Sequence, residues 1–529
     1  MVKFDDPPLL RDIVADSLDA PALKVFGSTH PGLSRGELAS AADSAAVYLT
    51  EQGFRRGDVL AVWLPNTLSW MQILFAAAEL GVLVIPISTR YKANEVKHLL
   101  EVSRASGIVV PRRFLEVDYA TIAEKLRDEV PALKKVFVQE DLSICLPWAG
   151  AASAELMTFS NRSRKALGDN LLSCFSTSGT TGYPKLAAHG HSSIARHAFK
   201  VASALDLHVG DVMLCPLPLF GVFGYMAVMA ALAGGASCVL MPVYEVNDAA
   251  RAIEQYRVTH MIGADAMFDA MLNVEGVDFS SWRRGVQADF VGLTLQVTQR
   301  GDERGIKFSG TYGSSEVYSL MSFQDWDSRA EIRARSGGSP HDEQTAVRIV
   351  DTETGVERKR GEAGEIQIRG PNMLVQYLNN PEATAKAITE DGWYRTGDLG
   401  CQEVGQSFIY LARMGDSLRL RGYLVNPAEI ETCLMEHPAV GGAQVVGVNR
   451  PGLGDAAVAY VVSPETGAAL AVDAASLEAA LILHCKERLA SYKVPQRVIV
   501  LEEFPTINGP NGTKIQKRQL RDMAKEALA

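Results

Sequence analysis

The chain has 529 residues, of which 47% are hydrophobic and 22% are charged. Such a composition is typical of a globular protein with several folded units, and it excludes wholesale disorder. The formal net charge of −10 argues against overall electrostatic binding to nucleic acid or anionic lipid, so no nucleic-acid partner is predicted. The 7 cysteines are scattered from Cys145 to Cys485 without a CxxC pair, which is typical of reduced thiols in a cytoplasmic protein.

The sequence shows no signal for export or membrane insertion. Its first residues lack the basic start and the apolar run of a signal peptide, which favours a cytoplasmic location. The uncharged stretch Val212–Tyr244 is interrupted by prolines and glycines, and its longest credible helix is Val222–Ala233. That helix is shorter than the roughly 20 residues that span a bilayer. We therefore predict a buried helix there, a buried strand at Ala236–Met241, and no membrane span.

The first third of the chain alternates predicted strands with predicted helices. Short turns between such elements predict parallel sheets covered by helices on both faces. The same alternation returns over residues 190–275. The predicted elements are, in chain order, strand Val59–Leu64, helix Leu68–Leu80 closed by Gly81, strand Val82–Ser88, helix Asn94–Ser103, strand Gly107–Val110, helix Asp248–Tyr256 and strand Thr259–Ile262.

The pattern changes after residue 340, where short strands lie among Gly-rich and charged turns. Strands at Ala346–Val350 and Glu365–Arg369 predict antiparallel or β-barrel-like structure. After Arg413 helices and strands mix, and a Gly-Asp pair at Gly415 could serve as a hinge. We therefore predict an α/β protein with a β-barrel-like subdomain, made of a large N-terminal domain (residues 1–413) and a small mobile α+β C-terminal domain (residues 414–529). The predicted C-terminal elements are helix Pro427–Glu436, strands Ala443–Val448 and Ala456–Val462, and helix Ala475–Arg488.

The segment Thr177–Lys185, Thr-Ser-Gly-Thr-Thr-Gly-Tyr-Pro-Lys, carries the strongest chemical signal. Its glycines allow the backbone to approach a ligand closely, its hydroxyls and N–H groups can face one anion, and Lys185 adds a positive charge. These properties favour a polyphosphate cradle, although the pattern is not a Walker A loop. By composition alone, a flexible surface loop remains an equal alternative.

The full segment resembles the signature phosphate loop of the adenylate-forming superfamily, which includes acyl- and aryl-CoA synthetases, luciferases and peptide-synthetase adenylation domains. Further matching segments follow in the family's order, and together they cover most of the chain. They are Thr311–Glu316 (Thr-Tyr-Gly-Ser-Ser-Glu), Tyr394–Asp398 (Tyr-Arg-Thr-Gly-Asp), Arg413 through Gly422 to Glu431, and Gly512–Arg518 (Gly-Thr-Lys-Ile-Gln-Lys-Arg).

The resemblance implies a nucleotide site and a catalytic lysine. Glu316 is implied as the magnesium ligand, and a carboxylate beside hydroxyls suits a hard Mg²⁺ ion. Ser315 is implied to contact the α-phosphate, and Lys514 to bridge the substrate carboxylate and the α-phosphate. Without the motif, a lone glutamate is usually a solvated surface residue. Asp398 is implied to accept hydrogen bonds from the ribose hydroxyls, and Arg413 to assist it. The implied nucleotide-binding residues are Thr177, Ser178, Gly179, Thr180, Thr181, Gly182, Lys185, Tyr312, Asp398 and Arg413.

The resemblance also implies an acyl pocket and a hinge. The pocket prediction rests on an apolar and aromatic lining, which favours a hydrophobic acid, although the same residues could be ordinary core. Gly415 is the implied hinge residue between the two domains. The implied pocket residues are His191, Phe220, Gly221, Phe223 and Gly310.

Several positions depart from the family pattern. Leu186 stands where a glycine follows the loop lysine, so packing behind the loop should differ. Gly221 replaces an aromatic or histidine residue at the pocket mouth, and Ala288–Phe290 stands near the place of a Gly-Gly-Ala-Pro stretch that borders adenine. Gly415 replaces an aspartate or lysine, and glycine keeps rotation at the hinge open. Asp265, commonly a proline, is either a helix N-cap or a polar group in the acyl pocket, and its residue type favours the cap.

The sequence therefore predicts an AMP-forming ligase that joins a hydrophobic carboxylic acid to CoA through an acyl-adenylate, with ATP and Mg²⁺. Two alternatives stay open: a stand-alone adenylating enzyme that loads a carrier protein, and a nucleotide-binding homologue with little catalysis. The adenylation residues do not discriminate against a luciferase-type oxidation either. A homodimer is also left open.

Overall fold

The structure, a computed structural model, describes most of the chain. The described residues are 6–148, 167–177, 185–414, 418–420, 423–425, 427–450, 454–464, 474–489, 493–509 and 512–528. The chain divides into two units. The first unit comprises Met1–Ala288, Thr294–Ala346 and Ile368–Tyr394, and the second comprises Asp289–Leu293, Val347–Gln367 and Arg395–Ala529. The predicted boundary after Arg413 stays a prediction.

Strands and helices alternate through the described residues. The strands are β1 (Pro21–Val25), β2 (Leu33–Ser34), β3 (Val59–Val62), β4 (Leu83–Pro86), β5 (Gly107–Pro111), β6 (Lys135–Gln139), β7 (Leu171–Ser176), β8 (Leu186–Gly190), β9 (Val212–Cys215), β10 (Ser237–Leu240), β11 (His260–Ala264), β12 (Arg284–Ala288), β13 (Lys307–Tyr312), β14 (Ser322–Phe323), β15 (Gly337–Pro340), β16 (Ala346–Val350), β17 (Ala363–Arg369), β18 (Gln376–Tyr377), β19 (Tyr394–Gln402), β20 (Phe408–Arg413), β21 (Leu418–Leu420), β22 (Tyr423–Val425), β23 (Gly442–Arg450), β24 (Gly454–Val462), β25 (Arg497–Leu501), β26 (Thr506–Gly509) and β27 (Gly512–Ile515). The helices are α1 (Leu10–Ile13), α2 (Arg35–Glu51), α3 (Leu68–Leu80), α4 (Ala93–Ser103), α5 (Tyr119–Glu129), α6 (His191–Leu205), α7 (Val222–Ala233), α8 (Val246–Tyr256), α9 (Asp265–Leu272), α10 (Thr294–Asp302), α11 (Ala330–Arg333), α12 (Pro381–Ala387), α13 (Pro427–Met435), α14 (Ala474–Arg488) and α15 (Lys517–Leu528).

The first unit is built on parallel sheets, as the strand–helix alternation predicts. One run of strands has the order β2-β1-β10-β9-β11-β12-β13-β14-β15, in which the strands from β1 to β13 are parallel. The other sheet has the order β18-β8-β7-β4-β3-β5-β6, with β7, β4, β3, β5 and β6 parallel. Antiparallel pairs lie at the ends, where β8 pairs with β7 and with β18. The sequences of parallel strands are nearly continuous apolar runs because helices cover both faces of the sheet.

Buried helices fill the space beside these sheets. Helix α3 has its predicted bounds and ends at Gly81, whose φ of 70° is the left-handed conformation that glycine adopts without strain. Helix α7 also has its predicted bounds, and its residues from Val222 to Leu232 are buried. Among the described residues, the structure contains no helix of sufficient length and apolar character to cross a membrane.

The second unit combines β-hairpins with an α+β core. The sheet of this unit is open and contains, in order, strands β16, β17, β19 and β20. The predicted barrel-like subdomain is therefore a sheet that does not require closure into a barrel. Strand β24 pairs antiparallel with β23 and parallel with β25. Successive residues of these strands point to opposite faces of the sheet and belong to different hydrophobic clusters. Val445 packs with α13 and α14, whereas Val446 packs with α15. This period of two places helices on both faces of a small sheet and confirms the predicted mixture of helices and strands.

Candidate active site

The predicted phosphate loop connects two antiparallel strands of the first unit. Ser176 at the end of β7 pairs with Leu186 at the start of β8, and the Thr177 N–H donates to the Lys185 carbonyl oxygen over 2.8 Å. The loop is therefore closed at its base, and its two ends are held by the sheet. Leu186 is buried in the core, so a large apolar side chain fills the space behind the loop lysine. The predicted residues Ser178, Gly179, Thr180, Thr181 and Gly182 lie outside the described residues, and their roles stay predictions.

Ser315 and Glu316 lie on a tight turn after β13, the strand that carries Gly310 and Tyr312. A short 3₁₀ helix spans Ser315–Val317, and the Ser314 hydroxyl oxygen accepts the Glu316 N–H over 3.3 Å. The next residues, Tyr318 to Leu320, have φ values of 64°, 57° and 43°. Three successive non-glycine residues in the left-handed region are strained by about 1–2 kcal/mol each. This turn therefore needs support from its surroundings.

Glu316 is buried beside residues that come from distant parts of the chain. The Tyr377 hydroxyl donates to Glu316 Oε1 over 2.9 Å, and the Leu374 N–H donates to the Glu316 carbonyl oxygen over 2.6 Å. Lys185 Nζ lies 4.6 Å from the centroid of the Tyr377 ring. The structure thus brings the predicted metal ligand and the loop lysine to the same tyrosine. A buried carboxylate next to hydroxyl groups fits a hard Mg²⁺ ion, so the residues present suit the implied metal.

Two buried histidines support the turn from behind. His189 Nε2 donates to the Ser315 carbonyl oxygen over 2.7 Å, and His197 Nε2 donates to the Ser319 carbonyl oxygen over 2.8 Å. The Tyr318 ring packs edge-on against both imidazoles, with centroid distances of 4.5 and 5.9 Å. Burial lowers the pKa of His189 to about 3 and that of His197 to about 4, so both rings are neutral near pH 7. Because a carbonyl can only accept, each neutral ring carries its hydrogen on Nε2.

Sequence reasoning missed Tyr377, His189 and His197. Tyr377 lies on a two-residue strand, and its pairing with Ala187 of β8 is a contact between positions 190 residues apart. The local sequence gives no signal for such a contact. For His189 a weak signal existed, namely an imidazole in the otherwise apolar strand Leu-Ala-Ala-His-Gly, where a buried polar group must find a partner.

The predicted acyl-pocket residues lie in buried positions of the first unit. Phe220 and Phe223 are buried around the start of α7, and Gly221 is the residue before that helix. A Cβ atom on Gly310 would lie 2.3 Å from the Arg335 carbonyl oxygen, so a close backbone approach requires glycine there. His191 begins α6, and its Nε2 accepts the Leu10 N–H over 2.9 Å. A lining role of these residues stays a prediction.

Asp265 is the first residue of α9, and the residue before the helix, its N-cap, is Ala264. The predicted N-cap position is therefore wrong by one residue. The Asp265 carboxylate still accepts a backbone N–H of the first turn, that of Ala266, over 2.9 Å. An acidic residue in the first turn also interacts favourably with the helix dipole.

Asp398 and Arg413 form an ion pair within the second unit. They lie directly opposite each other on β19 and β20, and Arg413 Nη1 donates to Asp398 Oδ1 over 2.7 Å. Nη1 also donates to the Thr396 carbonyl oxygen over 3.0 Å. The Asp398 side chain is buried whereas that of Arg413 is half exposed, so the arginine holds the carboxylate from the solvent side.

Lys514, the predicted catalytic lysine, lies on β27 opposite Ile507 of β26. The predicted hinge residue Gly415 lies outside the described residues.

Comparisons with known proteins agree with the sequence motifs. The model of the AMP-binding enzyme family matches residues 10–378, and that of the AMP-binding enzyme C-terminal domain matches residues 429–509. A (7a-methyl-1,5-dioxo-octahydro-1H-inden-4-yl)propanoyl:CoA ligase of Mycobacterium tuberculosis is 31% identical and covers 92% of this chain and 93% of its own. A medium-chain fatty-acid–CoA ligase of Escherichia coli is 29% identical and covers 91% of this chain and 84% of its own.

A solved structure has the same fold. The crystal structure of ATP-bound MatB from Rhodopseudomonas palustris superposes with a TM-score of 0.81 at 22% identity, covering 99% of this chain and 100% of that one. The motifs, the family models and the sequence relatives lead to one conclusion: the chain belongs to the AMP-binding enzyme family, the adenylate-forming superfamily, and within it to the AMP-forming acyl-CoA synthetases.

Proposed function

We propose that the chain joins a hydrophobic carboxylic acid to CoA in two steps. In the first step, a carboxylate oxygen of the acid attacks the α-phosphorus of ATP, and pyrophosphate leaves. In the second step, the CoA sulfur attacks the acyl carbonyl carbon of the adenylate, the thiol proton passes to solvent, and AMP leaves. The observation that carries the proposal is the meeting of Glu316 and Lys185 at Tyr377, beside the strand that follows the phosphate loop.

The proposed roles follow from the charges of the reacting groups. The acid is already ionised near neutral pH, so the first step needs no general base. It needs cations that bring two anions together and stabilise the charge that develops on the α-phosphoryl oxygens. Lys514 would supply this charge at the reacting atoms, Ser315 would donate to the α-phosphate, and Asp398 with Arg413 would hold the ribose. Mg²⁺, when bound, would be held by Glu316 and would neutralise charge on the phosphates.

The acyl group is proposed to be hydrophobic. Phe220 and Phe223 supply apolar surface near the start of α7, and a pocket lined in this way favours an aliphatic or aromatic acid. The names of the two sequence relatives point the same way, since one acts on medium-chain fatty acids and the other on a fused-ring propanoate. We also propose a domain boundary after Arg413 with the hinge at Gly415. A cytoplasmic location and a homodimer stay predictions.

Product analysis with a panel of acids tests the proposal. The protein would be incubated with MgATP and with octanoate, decanoate, benzoate, phenylacetate or malonate, with and without CoA. AMP and acyl-CoA would be quantified by mass spectrometry, and pyrophosphate release by a coupled assay. We expect equal amounts of AMP and acyl-CoA with at least one hydrophobic acid, and little product with malonate. Acid-dependent pyrophosphate release without CoA stimulation would favour a carrier-protein acceptor instead. ATP binding without any acid-dependent product would favour the binding-only homologue.

A further inference from the structure

The segment of residues 372–378 joins the Glu316 turn to the strand after the phosphate loop. Its first part donates hydrogen bonds to the turn, and its second part donates to β8. The bonds are Asn372 Nδ2 to Val317 O (2.8 Å), Leu374 N to Glu316 O (2.6 Å), Val375 N to Ala188 O (2.8 Å) and Leu378 N to Leu186 O (2.8 Å). A side chain on this segment is therefore held by backbone bonds on both sides.

Tyr377 points from this segment to two charged groups of the site. It is only 4% exposed, so its contacts are screened little by water. Its hydroxyl donates to Glu316 Oε1 over 2.9 Å, and a hydrogen bond to a charged acceptor is stronger than one between neutral groups. Its ring lies 4.6 Å from Lys185 Nζ, within the range of a cation–π interaction.

The hydroxyl contact determines how the Glu316 carboxylate is oriented. A free carboxylate can rotate about its last side-chain bond, and an ion would then bind to a mixture of orientations. With Oε1 held by Tyr377, the plane of the carboxylate is defined, and Oε2 is left for a metal ion. Groups that orient a metal ligand in this way commonly change metal affinity when they are removed.

We propose that Tyr377 is a positioning residue of the magnesium–ATP site, whose hydroxyl orients Glu316 and whose ring holds the Lys185 ammonium beside the phosphate loop. The inference rests on the proposed function for the identity of the ligand, MgATP. It goes beyond that function because it separates two effects of one side chain. The hydroxyl acts on the metal-dependent part of nucleotide binding, and the ring acts on the part that needs no metal.

Another tyrosine of the first unit provides a matched control. Tyr119 is also buried, and its hydroxyl donates to the Thr89 carbonyl oxygen over 2.7 Å. Its ring packs on Trp63 at a centroid distance of 4.6 Å. Tyr119→Phe thus removes one buried hydroxyl from a place with no charged acceptor, and any general cost of losing such a hydroxyl appears there as well.

Calorimetric titration of the full chain with ATP, with and without Mg²⁺, tests the proposal. For Tyr377→Phe we expect the Kd of MgATP to rise about tenfold, and the Kd of metal-free ATP to change by less than about twofold. Tyr377→Leu, which also removes the ring, should weaken both. Tyr119→Phe should change neither, and thermal unfolding of each variant verifies that it is folded.

The outcomes separate this inference from the proposed function. An equal effect of Tyr377→Phe with and without Mg²⁺, or no effect on either, would overturn the positioning role. A wild-type chain that binds MgATP but activates no acid would overturn only the proposed ligase activity. A wild-type chain that does not bind MgATP would overturn both.

Discussion

Three buried histidines should make the first unit sensitive to mild acid. His189, His197 and His260 are each at most 3% exposed, and the Nε2 atom of each donates to a backbone carbonyl oxygen. Burial lowers the pKa of His189 to about 3, and that of His197 and His260 to about 4. In the unfolded chain a histidine titrates near a pKa of about 6.5. The unfolded state therefore binds more protons than the folded state between these values.

The sign and size of the effect follow from this difference. Because the folded pKa values are the lower ones, the stabilisation is fully present above about pH 6.5 and is lost as the pH falls. Between pH 7.5 and pH 5.0 each histidine should cost about 2 kcal/mol of the free energy of unfolding, so the three together should cost about 6 kcal/mol. A domain is typically stable by about 5–15 kcal/mol, so the first unit should be close to unfolding near pH 5.

Urea unfolding followed by tryptophan fluorescence measures this free energy. The 6 tryptophans of the chain all lie in the first unit, so their fluorescence reports the unfolding of that unit. The slope of the free energy of unfolding against pH gives the number of protons taken up on unfolding. Burial also lowers the pKa of His341 in this unit to about 3, so with the three histidines above we expect about four protons between pH 6 and pH 5, which corresponds to about 5 kcal/mol per pH unit. Most carboxylates remain ionised in that range and contribute little.

The variant His197→Gln identifies the source of the slope. Glutamine keeps a donor for the Ser319 carbonyl oxygen but does not titrate, so the proton uptake should fall from about four to about three. His208→Gln is the matched control, because the side chain of His208 is 69% exposed and stays in water in both states. A slope that is the same in both variants, or a wild-type uptake below about one proton, would refute the assignment of acid sensitivity to these histidines.

Further variants test the proposed roles and the packing. Lys514→Ala should abolish adenylate formation but leave thioester formation from supplied acyl-adenylate, and the exposed control Lys525→Ala should affect neither half-reaction. Equal loss of both half-reactions in Lys514→Ala would contradict the role of Lys514. Asp398→Asn should raise the Kd of ATP about tenfold but affect 2′,3′-dideoxy-ATP less, and an equal loss for both nucleotides would exclude a ribose contact. Gly224→Ala should destabilise the first unit by about 1–3 kcal/mol in urea unfolding, because the new Cβ would lie 2.4 Å from the Pro218 carbonyl oxygen. An unchanged urea midpoint would exclude that clash.

Elements with strong local signals were predicted well from the sequence. Helix α3 begins and ends where its apolar run and Gly81 predict, and α7 has its predicted bounds because glycines flank it on both sides. The motifs also pointed to Lys185 and Glu316, which the structure brings to the same tyrosine, while their roles stay predictions. Local sequence was sufficient in these cases because the deciding contacts lie within a few residues.

The parts that could not be predicted depend on contacts between distant segments. Residues 347–367 belong to the second unit; the change of pattern after residue 340 indicated a new type of structure there, but it did not indicate which strands these residues would pack with. The contact of Tyr377 with Glu316 requires β18 to pair with β8, and the pairing partner of a two-residue strand cannot be read from its own sequence. The function of such residues emerges only when the sheet is assembled.

The same hydrogen bonds support both the fold and the proposed nucleotide site, which predicts how that site responds to acid. His189 Nδ1 has no hydrogen-bond partner among the described residues, so a proton can be added there while Nε2 keeps its bond to Ser315. Protonation therefore does not break the contact that holds the Glu316 turn; it places a charge in the core and favours global unfolding. Loss of ATP binding and loss of tryptophan fluorescence should accordingly have the same midpoint in an acid titration. ATP binding that disappears at a higher pH than the fluorescence change would show that the turn rearranges locally before the unit unfolds.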